Sequence, residues 1–182
     1  MEFKLRKIIE DDLELIMKWR MSPDITKYMR TNPKLTLEGQ KKWLEKINIS
    51  KEVEYWMILV DDMPAGIINL ADIDWKNKRA TWGWYVGEKH LRSFQLAISL
   101  EMSLQEYVFE KLKFNELYSD VLSENKGVIR INELCGSRVI KEEIDEVEKE
   151  GKKYSVTYLS ITCDIWNEIK KLLNYTRINF DI

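Results

Sequence analysis

Histidine, cysteine and proline are scarce in this sequence, and each scarcity removes a class of protein from consideration. The 182 residues include one histidine, two cysteines and three prolines. Cys135 and Cys163 stand far apart, and with the lone His90 they cannot supply the four ligands of a structural zinc site. Two cysteines are also too few for a disulfide framework, so we expect free thiols in a reducing compartment. We predict no metal site.

Long apolar runs and a large excess of charge of either sign are also absent. The 29 basic and 31 acidic side chains nearly cancel, leaving a formal net charge of -2, whereas a nucleic-acid-binding face needs a basic excess. No apolar run approaches membrane-spanning length, and residues 1–5 lack the apolar core of a signal peptide. We therefore expect no nucleic-acid partner, no membrane partner and a cytoplasmic location.

Aromatic side chains, by contrast, are abundant, with seven tryptophans, eight tyrosines and five phenylalanines. Such a supply can fill a core and still line a pocket, since flat side chains hold flat ligands well. The length suits one domain. No repeat or Gly/Pro/Ser-rich linker marks a boundary, so we predict a single domain over residues 1–182.

Alternating and helical apolar patterns predict seven strands and five helices. The strands are predicted at 3–8, 55–60, 65–71, 79–86, 117–121, 139–147 and 154–162. The helices are predicted at 12–20, 36–47, 93–111, 125–135 and after Asp164. The expected N-terminal caps are Thr36 for the second helix, Asn125 or Ser123 for the fourth, and Asp164 for the last. Gly136 is expected to end the fourth helix. The order is β-α-α-β-β-β-α-β-α-β-β-α. It predicts a mixed α/β fold with a mostly antiparallel central sheet flanked by helices.

A strand, a turn and a long helix follow one another between residues 82 and 111. The unpaired N–H groups and the dipole of the helix point at whatever occupies the turn at 92–97, which suits a pyrophosphate. This signal is weak by itself, because every strand–loop–helix unit has such donors. Taken alone, Arg92 is more often an exposed loop cation.

Residues 92–97 and 125–136 together resemble the GNAT acetyltransferase superfamily. Its phosphate motif, Q/R-x-x-G-x-G/A, falls on residues 92–97, where Arg92 and Ala97 match and Gln95 stands at the first glycine. Its later pattern, an asparagine, a helix and then glycine plus an aromatic, falls on 125–136 with a serine following in place of the aromatic. The order of elements agrees along essentially the whole chain, and the resemblance implies a GNAT fold.

The resemblance also implies acetyl-CoA as cosubstrate. The residues it assigns to acetyl-CoA are Tyr85, Val86, Arg92, Ser93, Phe94, Gln95, Leu96, Ala97 and Asn125. A homodimer is compatible with it.

Within the superfamily, the closer resemblance is to the N-acetyltransferases of the pseudaminic-acid pathway, which act on a nucleotide-linked 4-amino-4,6-dideoxy sugar. Residues 19–24, the Tyr28-Met29 pair, and segments 73–78 and 82–85 look like that branch. Related acetyltransferases of ribosomal-protein N-termini share the first of these motifs.

The branch implies that Arg20, Tyr28 and Met29 bind the nucleotide portion of the substrate. An arginine offers a fork for a diphosphate, and a tyrosine a face for a base. The structural alternative for Arg20 is a cation at a helix C-terminus.

The family's mechanism is direct attack of the amine on the thioester, and it implies three further roles. A backbone N–H near Tyr85 and Val86 would polarise the carbonyl. Asp120 is the preferred general base because the branch has an acid in this strand, and Asn69 would orient the substrate. The other base candidates are Asp72, Asp74 and Glu88.

Asn132 stands where many GNAT enzymes carry a tyrosine that protonates the leaving thiolate. An asparagine cannot deliver a proton, but its N–H can hydrogen-bond a thiolate. The alternatives are that Tyr85 or Tyr118 supplies the proton, or that the site is inactive.

Three functions therefore remain open. The first is a nucleotide-amino-sugar N-acetyltransferase, and the second is peptide N-terminal or polyamine acetylation. The third is a catalytically silent acyl-CoA-binding module, an interpretation that rests partly on fold analogy. A deep pocket with aromatic residues and arginine would favour a nucleotide, whereas an acidic groove would favour a polyamine.

Overall fold

The computed structural model describes residues 2–180, which form seven strands and six α-helices. The strands are β1 (Phe3–Lys7), β2 (Glu54–Val60), β3 (Met63–Asp74), β4 (Arg79–Val86), β5 (Glu116–Leu122), β6 (Arg138–Lys149) and β7 (Lys152–Thr162). The helices are α1 (Leu13–Arg20), α2 (Pro23–Thr26), α3 (Leu37–Ile49), α4 (Phe94–Glu106), α5 (Lys126–Leu134) and α6 (Cys163–Ile169). The predicted order is confirmed, with the one-turn α2 as an addition that begins at a helix-compatible proline.

The seven strands form one sheet in the order β1-β2-β3-β4-β5-β7-β6. Every neighbouring pair is antiparallel except β4 and β5, which run parallel. The predicted mixed fold with a mostly antiparallel sheet is therefore confirmed.

The parallel pair is the place where the sheet opens. β4 and β5 pair over three positions, from Arg79 with Glu116 to Thr81 with Tyr118. Beyond them β4 continues along β3 to Val86, and β5 continues along β7 to Leu122. Two strand edges thus separate in the middle of the sheet, and their backbone groups face a cleft.

Both faces of the sheet are covered by helices. The alternation along β2 sends Trp56 and Ile58 to the face under α4, where they join Leu100 and Leu104 in the main core. Met57 points to the opposite face, into a smaller cluster with residues of α1 and α3. The period-two side-chain pattern of a strand explains why one run of apolar residues serves two cores.

Several predicted boundaries and caps differ from the structure. The helix predicted at 93–111 is α4 followed by a wider π-helical turn at Tyr107–Lys111. The last helix is capped by Thr162, whose side chain accepts from Ile165 N, so the prediction of Asp164 as its cap is wrong. No helix within residues 2–180 is long and apolar enough to span a bilayer.

The N-terminal end of α5 lacks the predicted side-chain cap bond, whereas its C-terminal end has the predicted glycine. Asn125 occupies the N-cap position without a side-chain cap bond, and the Ser123 hydroxyl bonds Thr157 instead. Gly136 follows the helix with φ +94°, the left-handed conformation that favours glycine.

Candidate active site

A cavity of about 870 Å³ opens where β4 and β5 separate. It gathers most of the residues that the sequence singled out from distant segments. The predicted residues that line it are Arg20, Tyr28, Met29, Asn69, Tyr85, Val86, Arg92, Ser93, Phe94, Ala97, Asp120, Asn125 and Asn132. Its walls come from both separated strands, from the first turns of α4 and α5, and from the segment between α1 and α3.

The turn at 92–97 enters α4 as predicted, but its polar side chains are used inside the protein. The Ser93 hydroxyl caps the helix by accepting from Leu96 N at 3.1 Å. Arg92 donates from Nε to the Val86 carbonyl at 2.9 Å and forms an ion pair with Asp24 at 2.5 Å. The hydrogen bond that Arg92 donates to the Asp24 carboxylate holds the pKa of Asp24 below its usual value. Arg92 therefore links β4 to α2 and also lines the cavity.

Gln95 and Leu96 do not line the cavity. The Gln95 side chain is exposed and donates to Thr176 Oγ1 at 3.2 Å, and the Leu96 side chain is fully buried in the core. Their assignment to acetyl-CoA stays a prediction, which for Gln95 concerns the backbone N–H and not the side chain. The first N–H groups of α4, at Phe94 and Gln95, have no partner within the helix and remain as anion donors.

Trp19 shapes the far end of β4. Its indole lies so close to Gly87 that a Cβ at that position would come within 2.3 Å of the ring. The indole N–H donates to Glu88 at 2.9 Å. Trp19 is buried and thereby fixes the C-terminal end of α1 against β4, which aims the next residue, Arg20, at the cavity.

Arg20 contributes to the cavity wall a buried donor that no described residue satisfies. One guanidinium nitrogen donates to Thr31 Oγ1 at 3.3 Å, but the buried Nη1 has no partner within residues 2–180. The buried Tyr85 hydroxyl likewise has none within that range. Burial raises the pKa of Tyr85, and of Tyr55 beside it, above the usual value, while the charge of Arg20 opposes both shifts. Buried donors without acceptors are costly, so this corner is suited to an acceptor-rich or anionic ligand group.

Of the four base candidates, Asp120 lines the cavity. Its Oδ2 accepts from Arg30 at 2.9 Å, and its Oδ1 accepts no hydrogen bond within residues 2–180. Asp72 accepts from Thr81, and Asp74 accepts from Asn77 in the turn after β3. Asp120 is therefore the acid best placed to meet a ligand.

Asn132 is almost fully buried, with 1% of its surface exposed. Its Nδ2 donates to Glu101 Oε1 at 2.8 Å and to the Val128 carbonyl at 3.0 Å, while its Oδ1 accepts from the Ser119 hydroxyl at 2.8 Å. Both amide hydrogens are used, so the expected hydrogen bond from Asn132 to a thiolate has no donor here.

Glu101 accepts a hydrogen bond from Asn132 in this buried network and was missed by sequence reasoning. It is fully buried, and its Oε2 lacks a hydrogen-bond partner within residues 2–180. Burial raises its pKa to about 8, with smaller opposing contributions from the Cys135 thiol and the Trp84 indole. Ser119 was missed as well. It precedes Asp120 on β5, and because successive side chains of a strand point to opposite faces, Ser119 points away from the face of Asp120 and bonds Asn132.

Comparisons with known proteins bear on the family and on the fold. Residues 2–138 match the family model of the acetyltransferase (GNAT) domain. Acetyltransferase PseH of Campylobacter jejuni subsp. jejuni serotype O:23/36 (strain 81-176) is 28% identical over 131 residues, which cover 70% of this chain and 80% of that protein. The uncharacterized N-acetyltransferase p20 of Bacillus licheniformis is 26% identical over 132 residues, covering 70% and 74%.

Among solved structures, the spermidine N-acetyltransferase from Vibrio cholerae in complex with CoA and spermine superposes with a TM-score of 0.84. The match covers 91% of this chain and 98% of that chain at 17% sequence identity. At this identity the likeness concerns the fold.

Proposed function

We propose that this chain, which belongs to the acetyltransferase (GNAT) family, transfers the acetyl group of acetyl-CoA to the amine of a nucleotide-linked 4-amino-4,6-dideoxy sugar. The family makes it an N-acetyltransferase, and the proposal adds the cosubstrate, the acceptor and a single catalytic domain. Its sequence similarity to proteins named acetyltransferase PseH supports the resemblance to the pseudaminic-acid branch.

The observation that carries the acceptor is the composition of the cavity wall. The acceptor half of the cavity, meaning the part lined by α1, α3, β2 and the segment between α1 and α3, is rich in aromatic rings and contains Arg20. The rings in this part are those of Tyr28, Trp43 and Tyr55. The unpartnered Arg20 Nη1 is a donor for a phosphate or a sugar oxygen, and the rings are surfaces for a base.

The acidic residues of the cavity do not favour a polyamine as the acceptor. Two carboxylates from residues 2–180 line it, and each is paired with an arginine: Asp24 with Arg92, and Asp120 with Arg30. A polycation needs several carboxylates available for its ammonium groups, whereas here the charge of the acids is already balanced. A nucleotide-linked amine carries phosphate and one amine, and it matches one arginine and one partly available acid.

The cosubstrate half, meaning the first turns of α4 and α5 and the free edge of β4, suits acetyl-CoA through main-chain groups. The N–H groups of Phe94 and Gln95 face a pyrophosphate at the helix N-terminus. The edge of β4 that leaves β5 at Thr81 offers backbone donors and acceptors to an amide-rich chain. When bound, acetyl-CoA supplies an activated thioester.

The protein's own groups then perform a direct transfer. Asp120 Oδ1 takes a proton from the acceptor ammonium, directly or through water. A backbone N–H near Tyr85 and Val86 stabilises the negative charge that develops on the carbonyl oxygen. The amine nitrogen bonds to the carbonyl carbon and releases its second proton to water as the C–S bond breaks. The thiolate leaves as an anion because its conjugate acid has a pKa near that of free cysteine, about 8.5. Asn69, in the facing strand, orients the acceptor.

The test is coenzyme A release with a panel of amines. The purified chain and acetyl-CoA are incubated with a UDP-linked 4-amino-4,6-dideoxy sugar, spermidine, or a peptide with a free N-terminus, and free thiol is measured. We expect the sugar nucleotide to give the highest kcat/KM. Faster release with spermidine or the peptide would overturn the acceptor, and no release with any amine would favour the silent acyl-CoA-binding module.

A further inference from the structure

The segment between α2 and α3 carries Tyr28 and Met29 to the acceptor half of the cavity, yet it contains no strand or long helix. Such a segment needs contacts from elsewhere in the fold to hold one conformation, because ordering each residue costs conformational entropy. Besides bonds to Arg20, Met21 and Asp120, its contacts come from the tip of the β6–β7 hairpin, residues 145–151, far along the chain.

Lys149 makes the central contact. It lies near the end of β6 with only 8% of its surface exposed, and its ammonium is surrounded by backbone carbonyls. Nζ donates to the oxygen of Thr26 at 2.9 Å, of Lys27 at 3.4 Å and of Met29 at 2.7 Å. Three donors of one ammonium thus meet carbonyls of one turn, which defines the backbone path on both sides of Tyr28.

This ammonium forms no ion pair within residues 2–180. Burial therefore lowers the pKa of Lys149 below its usual value. A buried charge without a carboxylate is costly, and an apolar side chain would pack beside Tyr154 without that cost. What the charge provides is a fixed geometry for the turn at 26–29.

Two exposed contacts join the same segment to the same hairpin tip. Arg30 forms ion pairs with Glu146 at the tip and with Asp120 in the cavity wall. Asn32 Nδ2 donates to Glu150 Oε1 at 2.9 Å. The hairpin tip is therefore bonded to the segment at three successive places.

We propose that Lys149 is a positioning residue for the acceptor, and that the tip of the β6–β7 hairpin decides acceptor affinity by holding Tyr28 and Met29 in place. The placement of the acceptor at these two residues rests on the proposed function. Lys149 itself does not line the cavity, so its effect passes through the backbone of the segment.

Lys149→Met keeps most of the apolar stem and removes the ammonium. We expect the KM for the best amine of the panel to rise about tenfold or more, with kcat changed by less than about threefold. The dissociation constant of acetyl-CoA should stay within about twofold, because the cosubstrate half shares no contact with Lys149.

Lys152→Met is the matched control. Lys152 Nζ lies 4.7 Å from the centre of the Tyr154 ring, and Lys149 Nζ lies 4.6 Å from it. Lys152 is exposed, however, and pairs with Glu124 at 3.3 Å. This variant removes a lysine from the same hairpin and the same ring without touching the segment, and we expect wild-type kinetics.

A second readout does not depend on the acceptor. Lys27, Arg30 and Lys34 are exposed trypsin sites in the segment, and cleavage there requires local opening. Mass spectrometry should show faster cleavage at these sites in Lys149→Met than in the wild type or Lys152→Met. This result would support the positioning role even if no amine of the panel were acetylated, so the two proposals fail separately.

Asn32→Ala provides a milder variant should Lys149→Met fold poorly. It removes one exposed hydrogen bond of the segment to the hairpin, and we expect a rise in acceptor KM of about two- to threefold. Unchanged acceptor KM and unchanged cleavage in Lys149→Met would overturn the proposal. An equal loss of acetyl-CoA affinity, acceptor affinity and melting temperature would also overturn it, as the mark of a merely structural role.

Discussion

The two halves of the cavity differ in what their polar side chains do. In the cosubstrate half, Arg92, Ser93 and Asn132 all bond to other parts of the protein. In the acceptor half, the buried Arg20 Nη1 has no partner within residues 2–180. The first half therefore offers a ligand mainly backbone groups, and the second offers it side chains.

This difference explains why a degenerate phosphate motif is compatible with a family fold. A helix N-terminus presents the same N–H groups whichever side chains follow them, so a glutamine at position 95 alters little as long as it points away. Recognition by side chains has no such tolerance. We therefore expect substitutions in the acceptor half to change kinetics strongly, and those in the cosubstrate turn to change them weakly.

The largest effect is expected from Asp120→Asn. If Asp120 is the general base, turnover should fall roughly 10² to 10⁴-fold while acetyl-CoA binding is preserved. Glu146→Gln is the control, because Glu146 pairs with the same Arg30 but does not line the cavity. Its kcat should stay near that of the wild type. Near-normal turnover of Asp120→Asn across the pH range would remove Asp120 from the mechanism.

Arg20→Ala should raise the KM for the acceptor about 10- to 100-fold and leave the KM for acetyl-CoA nearly unchanged. A hydrogen bond to a charged group contributes roughly 1.5–3 kcal/mol, which corresponds to this range. Arg130→Ala is the control, since Arg130 is an exposed arginine of α5 outside the cavity wall. Equal effects on both substrates would show that the two halves are not independent.

Glu101→Gln tests what the buried network beneath the cosubstrate half does to stability. The folded protein holds the Glu101 proton up to about pH 8, whereas the unfolded chain releases it near the ordinary value of 4.5. The folded state thus binds more protons between these values, and the free energy of unfolding falls as pH rises through that window, then levels off.

We expect the Glu101→Gln variant to lose most of this decline, because glutamine does not ionise. Melting temperatures measured from pH 5 to pH 8.5 would show it as a flatter curve than that of the wild type. Glu133→Gln, which changes an exposed carboxylate of α5, should keep the wild-type curve. A wild type whose stability does not decline in this window would mean that Glu101 is ionised when folded.

Much of the fold could be predicted because its signals are local. The apolar runs of β2 and β3 and the Thr36 cap lie within a few residues of what they determine. The cap of the last helix was assigned to Asp164 instead of Thr162, an error of two positions. Local patterns set the type of an element better than its ends.

Most of the site residues named from the sequence line the cavity, but their contacts could not be predicted. Family motifs brought Arg20, Asp120 and Asn132 to one cavity, but the bonds that define their roles join distant segments. Arg30 reaches Asp120 across 90 positions, and Lys149 reaches Met29 across 120. No local pattern encodes such pairs, which is why Asn132 was assigned a free N–H that Glu101 and Val128 already use.

The smallest effect is expected from Gln95→Gly, which restores the family's glycine. The Gln95 side chain points to Thr176 and not into the cavity, so the dissociation constant of acetyl-CoA should stay within about twofold or improve, because glycine allows closer approach of the backbone. The variant should melt slightly lower, since glycine within a helix costs about 0.5–1 kcal/mol. Thr176→Val is the companion change, because it removes the acceptor of the Gln95 hydrogen bond at nearly constant shape. Calorimetric titration of acetyl-CoA into both variants separates the two effects. Binding at least tenfold weaker in Gln95→Gly alone would show that the glutamine side chain contacts the cosubstrate, and the contrast between a backbone half and a side-chain half would no longer hold.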